Sequence, residues 1–315
     1  MANAPVSWGV FELTTDLEPF VGPDDLLAAV AGAGYEGVDL GPAGYLGRGE
    51  ELGRRLAGHG LGLAGGWIEM RFSDRDGFEA DLAGLSEALD LFEAATAGGA
   101  GGKAGVGKAG AGPGGRWWPK PTLADAGSAG RKANPGRGAE MAELGLSDRQ
   151  WAELADRVEL AAGRVRARGF EPTFHHHAGT YVEAPQEIER LLDLTDVGLC
   201  LDSGHILLGG GDPMAALSDW GERINHLHVK DCRLEVLRQC LAEGAGMAEV
   251  WSRGVFCGLG AGDLDLDGFL GQVLAGGYQG WLVVEQDVIP GPGIVPAAVA
   301  AEQARNRAVL RGHGV

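Results

Sequence analysis

The stretch Phe174-His175-His176-His177-Ala178-Gly179-Thr180 places three consecutive histidines at the end of an apolar-flanked segment, directly before a polar turn. If residues 171–177 form a strand, successive side chains alternate between its faces, so His175 and His177 point the same way. Imidazole is a common metal ligand and the usual proton shuttle near neutral pH. The simpler alternatives are a surface histidine cluster or hydrogen-bonded histidines in the core. Because three histidines stand together at a strand end, we predict that the chemistry of the protein occurs there.

Short apolar segments alternate with helical patterns on both sides of this histidine strand. We predict strands at residues 4–11, 37–42, 61–67, 121–124, 171–177, 197–202, 224–229 and 281–285. We predict helices at residues 26–33, 50–56, 78–97, 147–168, 185–194, 212–220, 266–274 and 297–310. Such alternation is typical of a parallel sheet, and eight strands favour an α/β fold with a single (β/α)8 TIM barrel spanning residues 1–315 as one domain. An open doubly wound sheet is the alternative.

Residues 98–115 interrupt the alternation with a sequence made almost entirely of glycine, alanine and lysine. This composition provides neither apolar periodicity nor bulk for a core, so we interpret it as a flexible Gly-rich insertion. A phosphate-binding loop is disfavoured, because no strand leads directly into the glycines and no amphipathic helix leads directly out. We expect the insertion to be dispensable for activity.

Composition and charge exclude several classes of partner. The chain is 45% apolar, yet it lacks the run of about 18 apolar residues that a membrane span needs. Its first residues show no secretory signal, which makes a cytoplasmic location the default expectation. A net charge of -18 repels phosphate backbones and anionic lipid, so we expect no nucleic-acid or membrane partner. A small neutral substrate fits better, and whether the chain forms a homo-oligomer is left open.

The four cysteines are widely separated and form no C-x-x-C pair. This spacing argues against a structural zinc knuckle and against a disulfide framework. We therefore interpret Cys200, Cys232, Cys240 and Cys257 as buried or idle thiols.

The barrel prediction can be checked, because active sites of such barrels are built at the C-terminal ends of the strands. Polar residues follow the last four strands at that end: His175 and His177; Asp202, Gly204 and His205; His228, Lys230 and Asp231; Glu285, Gln286 and Asp287. For Asp231 and Asp287 taken singly, a helix cap or a solvated charge is the better interpretation. Carboxylates from two strands with imidazoles from two others suit a divalent ion such as Mn²⁺ or Co²⁺, with positions left for water or substrate oxygens.

The motifs at these strand ends resemble those of the xylose-isomerase-like barrels of sugar isomerases and epimerases. The resemblance covers nearly the whole chain apart from the insertion. It is carried by FHHHAGTYVE at 174–183, LDSGH at 201–205, HLHVKDCR at 226–233, RGVF at 253–256, GAGD at 260–263 and WLVVEQD at 281–287. The Asp-x-Gly-His and His-x-His-x-Lys-Asp elements recur across the superfamily. The triple histidine and the Glu-Gln-Asp ending are more similar to the inosose dehydratase branch.

The resemblance implies a bound divalent ion. Its ligands would be Asp202, His228 and Glu285, together with His175, which stands where many relatives have glutamate. A histidine there can still ligate, but the site loses one negative charge. Mn²⁺ or Co²⁺ is expected, with Mg²⁺ or Zn²⁺ as the alternatives.

The resemblance also implies the remaining roles. His177 and His205 would be the acid and base that face the substrate, and Lys230 and Glu285 would share in catalysis. Contacts to a polyol or keto-sugar substrate are expected from Trp8, Trp67, Glu69, Arg233 and Gln286. For Trp8 and Trp67, ordinary packing in the core is the alternative.

Three functions are consistent with these features. The first is a metal-dependent lyase that removes water from a keto-inositol such as scyllo-inosose through an enolate, as an inosose dehydratase does. The second is an isomerase or epimerase acting on a ketose with the same metal site. The third is a catalytically silent barrel that binds a polyol, which the full set of metal-type residues disfavours.

Overall fold

The computed structural model describes residues 1–14, 18–97 and 117–315, so the predicted insertion at 98–115 lies outside the described residues. Nine parallel segments form one sheet, in the order β3-β2-β1-β11-β8-β7-β6-β5-β4. Their bounds are β1 Ala2–Asn3, β2 Gly37–Val38, β3 Gly62–Leu63, β4 Gly65–Met70, β5 Lys120–Asp125, β6 Thr173–His175, β7 Gly198–Asp202, β8 Ile224–Val229 and β11 Leu282–Val284. A separate antiparallel hairpin pairs β9 Asp231–Cys232 with β10 Phe256–Cys257.

The two ends of the sheet are halves of one strand. β3 and β4 are separated in the chain only by Ala64, and β3 pairs with β2 while β4 pairs with β5. At this junction, Leu40 N donates to Gly65 O at 2.9 Å and Lys120 N donates to Ala64 O at 3.0 Å. The sheet therefore curls round to meet itself, and its nine segments make the eight strands of the predicted TIM barrel.

Helices follow the strands around the outside of the barrel. Those described are α1 Pro23–Ala33, α2 Gly49–His59, α3 Arg75–Thr96, α4 Ala129–Lys132, α5 Asp148–Ala167, α6 Pro185–Leu194, α7 Ser203–Leu208, α8 Pro213–Trp220, α9 Leu234–Ala242, α10 Met247–Ser252, α11 Leu266–Ala275 and α12 Pro296–Gly312. Their starts follow local chemistry: α1 has a proline at its first position, and Ser147 caps α5 by pairing with Gln150. No helix in the described ranges combines the length and apolar character that a membrane crossing requires.

The first predicted strand differs most from the structure. Residues 4–11 were expected to be extended, but β1 ends at Asn3 and a 3₁₀ turn, Pro5–Trp8, follows it. Proline supplies no N–H to a ladder and suits the first turn of a helix, which explains the early end. Helices α7, α9 and α10 were also not predicted. They lie in the connections after β7 and β8, next to the strand ends where a site was expected.

Candidate active site

Four polar side chains meet at the C-terminal ends of β6, β7, β8 and β11. Their ligand-type atoms all lie within 4.8 Å of one another, and we call His175, Asp202, His228 and Glu285 the metal cluster. Asp202 Oδ2 lies 3.4 Å from His175 Nε2 and 3.7 Å from His228 Nδ1. Glu285 Oε2 lies 3.2 Å from His228 Nδ1. The four residues expected as ligands are therefore adjacent and buried.

The alternation of side chains along β6 produces this arrangement. Phe174 faces outward, where its ring packs 5.9 Å from that of Phe72 in the hydrophobic core. His176, also fully buried, accepts a hydrogen bond from the backbone N–H of Asp202 at 3.1 Å. The three consecutive histidines thus have separate positions: His175 belongs to the metal cluster, His176 braces β7, and His177 reaches the cavity described below.

The metal cluster leaves polar atoms without hydrogen-bond partners. Asp202 Oδ2 and His228 Nδ1, which face the centre of the cluster, are buried and make no hydrogen bond, although oppositely charged groups lie 3.2–3.7 Å away. The other oxygen of Asp202 is satisfied, because Oδ1 accepts the N–H groups of Gly204 and His205 at the start of α7. Buried polar atoms are normally paired, so unpaired nitrogen and oxygen atoms converging on one point fit a bound cation. Two imidazoles and two carboxylates form a mixed donor set that suits Mn²⁺, Co²⁺ or Zn²⁺.

Lys230 is the cation at the centre of the site. Its Nζ lies 2.9 Å from Glu285 Oε2, 2.8 Å from Asp287 Oδ1 and 3.4 Å from Asp202 Oδ2. Burial alone lowers the pKa of Lys230, but the three carboxylates outweigh burial and hold this pKa well above its usual range. Lys230 therefore presents a protonated ammonium group to the cavity.

His177 and His205 stack beside this lysine, with ring centroids 3.9 Å apart. Nδ1 of His177 lies 2.8 Å from the carbonyl oxygen of Ala178, so Nδ1 carries the proton and Nε2 is the free base. Burial, together with the electrostatic influence of the neighbouring His175 and Lys230, lowers the pKa of His177 well below its usual range. His205 is fully buried, and its Nε2 lies 3.1 Å from Lys230 Nζ. Of the two rings, His177 is the one that reaches the cavity.

A cavity of about 300 Å³ opens above the metal cluster and is large enough for a small sugar or cyclitol. Its polar part is formed by Glu69, Lys132, His175, His177, Thr180, Lys230, Glu285 and Asp287, and its apolar part by Val6, Phe11, Leu13, Trp67, Met247 and Trp251. The Trp67 ring touches both cavity histidines, with centroids 5.3 Å from His175 and 5.1 Å from His177. Trp67 and Glu69 thus lie where substrate contacts were expected.

Three of the expected substrate contacts do not line this cavity. Trp8 lies in the hydrophobic core and donates its indole N–H to Asn3 Oδ1 at 2.6 Å, because the 3₁₀ turn after β1 points it away from the mouth. Arg233 is exposed, with its guanidinium 3.4 Å from the carbonyl oxygen of Gly254. The amide oxygen of Gln286 accepts hydrogen bonds from Gln303 and Asn306 on α12. The structure places these three side chains away from the metal cluster.

Several cavity residues had no sequence signal strong enough to single them out. Asp287, which was interpreted as a cap or solvated charge, is buried, and its Oδ2 accepts the indole N–H of Trp251 at 2.9 Å. Trp251 comes from α10 and lies beside both His177 and His205, with ring centroids 6.0 Å apart in each case. Lys132 is the last residue of the short helix α4. Asp287, Trp251 and Lys132 lie in the connections that follow strands, and no periodic pattern of apolar residues in the sequence predicts the path of these connections.

Comparison with known proteins gives the family. The family model described as xylose isomerase-like TIM barrel matches residues 27–307. The rhizopine catabolism protein MocC of Rhizobium meliloti is 33% identical over 299 residues, covering 92% of this chain and 82% of that protein. An inosose dehydratase of Bacillus velezensis is 26% identical over 303 residues, covering 92% of each chain.

Solved structures show the same fold at lower sequence identity. An L-ribulose 3-epimerase superposes with a TM-score of 0.64 at 17% identity, covering 99% of this chain and 93% of that one. A probable 3-DHS dehydratase from Bacillus anthracis superposes with a TM-score of 0.63 at 15% identity, covering 98% of each chain. Fold, strand-end cluster and family match agree, and the chain belongs to the xylose isomerase-like TIM barrel family.

Proposed function

We propose that this protein is a metal-dependent lyase that removes water from a keto-inositol through an enolate. The observation that carries the proposal is the metal cluster, in which Asp202 Oδ2 and His228 Nδ1 lack hydrogen bonds beneath a cavity that is also lined by His177 and Lys230. Its ligands would be His175, Asp202, His228 and Glu285. A divalent ion held there supplies a Lewis acid for the carbonyl oxygen of the substrate.

The first step is removal of a proton from the carbon beside the carbonyl group. His177 is the base, because Nδ1 donates to the carbonyl oxygen of Ala178 and Nε2 keeps a free lone pair on the cavity side. The electron pair of the broken C–H bond moves toward the carbonyl oxygen and forms the enolate. The nearby Lys230 ammonium group adds positive charge that stabilises this oxygen.

The second step is departure of the hydroxyl group one carbon further along the ring. The enolate electrons form the new carbon–carbon double bond as the C–O bond breaks, and Lys230 donates a proton so that water leaves. His205 does not face the substrate in this scheme. Its Nε2 lies 3.1 Å from Lys230 Nζ and its Nδ1 accepts the backbone N–H of Ala178 at 3.3 Å, so it packs against the lysine away from the cavity. His177 then gives its proton to solvent and Lys230 takes up a proton from solvent, so that both side chains return to their starting states.

The names of the relatives support a cyclitol substrate. Those aligned over most of this chain include a rhizopine catabolism protein and inosose dehydratases. The Trp67 ring beside His175 and His177 offers an apolar face for a six-membered ring, and Glu69 offers a hydroxyl acceptor beside it. Mn²⁺ or Co²⁺ is the proposed cofactor.

The test is to incubate Mn²⁺- or Co²⁺-loaded protein with scyllo-inosose and with a panel of ketoses, and to follow the products by NMR and mass spectrometry. We expect scyllo-inosose to give a product lighter by one water, whereas an isomerase or epimerase conserves mass. Conversion of a ketose at constant mass, with scyllo-inosose untouched, would favour the isomerase. No turnover of any substrate by metal-loaded protein would favour the silent polyol-binding barrel.

A further inference from the structure

The layer of the barrel interior directly below the metal cluster is polar. His226 and Thr173 are fully buried there and Asp39 is 5% exposed, although the interiors of such barrels are usually filled by branched apolar side chains. Both ring nitrogens of His226, the hydroxyl of Thr173 and Asp39 Oδ1 lack hydrogen-bond partners. Space for them is left by Gly65, where a Cβ would lie 3.1 Å from His226 Nε2 and 3.3 Å from Asp39 Oδ1.

His228 connects this polar layer to the metal cluster. Its Nδ1 faces Glu285 and Asp202, whereas its Nε2 faces down toward Asp39, 3.9 Å from Oδ2. A neutral imidazole that binds a metal through Nδ1 carries its proton on Nε2, and that buried N–H needs an acceptor. The separation of 3.9 Å exceeds a hydrogen bond by about 1 Å, which a small rotation of either side chain can close.

Two other groups lie near this ring, a ring nitrogen of His226 and the sulfur of Cys200, and as neutral groups both accept hydrogen bonds less strongly than a carboxylate does. The sulfur of Cys200 lies within 4.8 Å of a ring nitrogen of His228, but a thiol accepts hydrogen bonds poorly compared with a carboxylate. Asp39 also adds a carboxylate beside a cluster whose own two carboxylates, Asp202 and Glu285, already face the Lys230 ammonium group.

We propose that Asp39 is a positioning residue for the metal site: it accepts the Nε2–H of His228, orients the imidazole and strengthens its Nδ1 as a ligand. This inference rests on the metal-binding part of the proposed function and is independent of the reaction. Asp39 contacts neither the ion nor the substrate in this arrangement. Asp39 therefore affects the affinity of the protein for the ion and the ligand field that the ion experiences.

The test is a titration of the metal-free protein with Co²⁺ against a chromogenic chelator, with the visible absorption spectrum recorded at saturation. We expect Asp39→Asn, which keeps an acceptor but not the charge, to weaken Co²⁺ binding about tenfold, and Asp39→Ala to weaken it toward a hundredfold. Both variants should shift the absorption bands, because the orientation of His228 changes. The matched control is Asp125→Asn, which neutralises a buried carboxylate at the end of β5 and should change neither readout.

The outcomes separate this inference from the proposed function. Wild-type affinity and spectrum in both Asp39 variants would overturn the role of Asp39 while leaving the metal site intact. Wild-type protein that binds no Co²⁺ or Mn²⁺ would overturn the metal site and this inference together. Two Co²⁺ ions per wild-type chain, with one lost in the Asp39 variants, would replace the positioning role with a second metal site. If Asp39→Ala does not fold, the nearly isosteric Asp39→Asn decides the question.

Discussion

Two buried groups of charged side chains follow the barrel strands, and they differ in how completely they satisfy themselves. In the Arg131 network, which comprises Arg131, Glu183 and Glu187, Arg131 Nη2 pairs with both oxygens of Glu187 at 2.6 Å and its Nε donates to the Thr180 carbonyl. The carboxylate of Glu183 accepts three backbone N–H groups, from Gly136, Gly138 and Gly179. Only Arg131 Nη1 lacks a partner in this network.

The metal cluster is buried to the same degree but has unpaired atoms at its centre, on Asp202 and His228. Burying an ion costs several kcal/mol unless its hydrogen-bonding capacity is met. The Arg131 network meets this need almost entirely within itself, whereas the metal cluster, even with Lys230 beside it, keeps atoms that a ligand could bind. Several atoms without hydrogen bonds that face one point, more than burial or charge, therefore distinguish a candidate binding site from a structural ion pair.

The largest expected effect comes from a substitution in the metal cluster. Asp202→Ala should abolish metal binding and reduce turnover by about 10³-fold or more, because the variant loses a charged ligand at the centre of the cluster. Asp202→Asn is the control for folding, since its amide oxygen can still cap α7 in place of Oδ1. Metal content is measured by elemental analysis. Full metal occupancy in Asp202→Ala would show that the ligand assignment is wrong.

A substitution in the Arg131 network should lower the stability of the fold and leave metal binding unchanged. Arg131→Met leaves the carboxylates of Glu183 and Glu187 buried without their cation, and we expect a loss of about 3–5 kcal/mol in the free energy of unfolding. Denaturant titration measures this loss. The folded variant should bind metal as the wild type does. A stable variant that has lost its metal would show that the Arg131 network is part of the site, and the comparison between the two groups would fail.

A substitution of His177 should affect turnover alone, because His177 faces the cavity without belonging to the metal cluster. His177→Ala should retain the metal and lose about 10²-fold in turnover, the usual effect of removing a general base. The matched control is His59→Ala, at a histidine near the C-terminal end of α2 that lies 3.5 Å from Asp24 and outside the cavity. Turnover within a factor of two or three of wild type in His177→Ala would assign the base to another group.

The smallest expected effect concerns Asp125, a half-satisfied carboxylate. Its Oδ2 accepts the N–H groups of Gly127 and Tyr181, whereas Oδ1 is buried without a partner. Burial raises the pKa of Asp125 from 3.8 to about 6. The folded state therefore binds this proton more tightly than the unfolded state, so stability from this group is present below pH 4 and is lost as the pH rises toward 6.

The loss amounts to about 2 kcal/mol between pH 4 and pH 6. Asp125→Asn removes this titration, so the stability of the variant relative to wild type should increase across that pH window. Denaturant titrations of both proteins at pH 4, 5 and 6 measure the difference. A difference that is constant with pH would show that Asp125 titrates in the folded protein as it does in the unfolded chain.

The metal cluster was predictable because its residues occupy the ends of regular strands. Period-two alternation places His175 on the inner face of β6, and parallel strands bring their C-terminal ends to one rim, where Asp202, His228 and Glu285 follow. The resemblance to a known family selected these four from the other polar residues at the same rim. The expected barrel and the family are both confirmed.

The rest of the cavity could not be predicted, because its residues lie where local patterns give no direction. Trp8 follows a strand that is only two residues long, so the period-two pattern no longer describes its orientation. The pairing of Asp287 with Trp251 joins residues 36 positions apart through a helix that was not predicted. The role proposed for Asp39 depends on its position 3.9 Å from His228 of β8, which the sequence around β2 does not encode by itself.

The carboxylate of Asp202 serves two structures with its two oxygens. Oδ1 holds the amide hydrogens of Gly204 and His205 at 2.8 and 2.9 Å, and Oδ2 faces the centre of the metal cluster. Because the two oxygens belong to one planar carboxylate, binding of a cation at Oδ2 changes the position and the charge of Oδ1 as well. We therefore expect the hydrogen–deuterium exchange rates of the Gly204 and His205 amides to differ between the metal-free and the metal-bound protein.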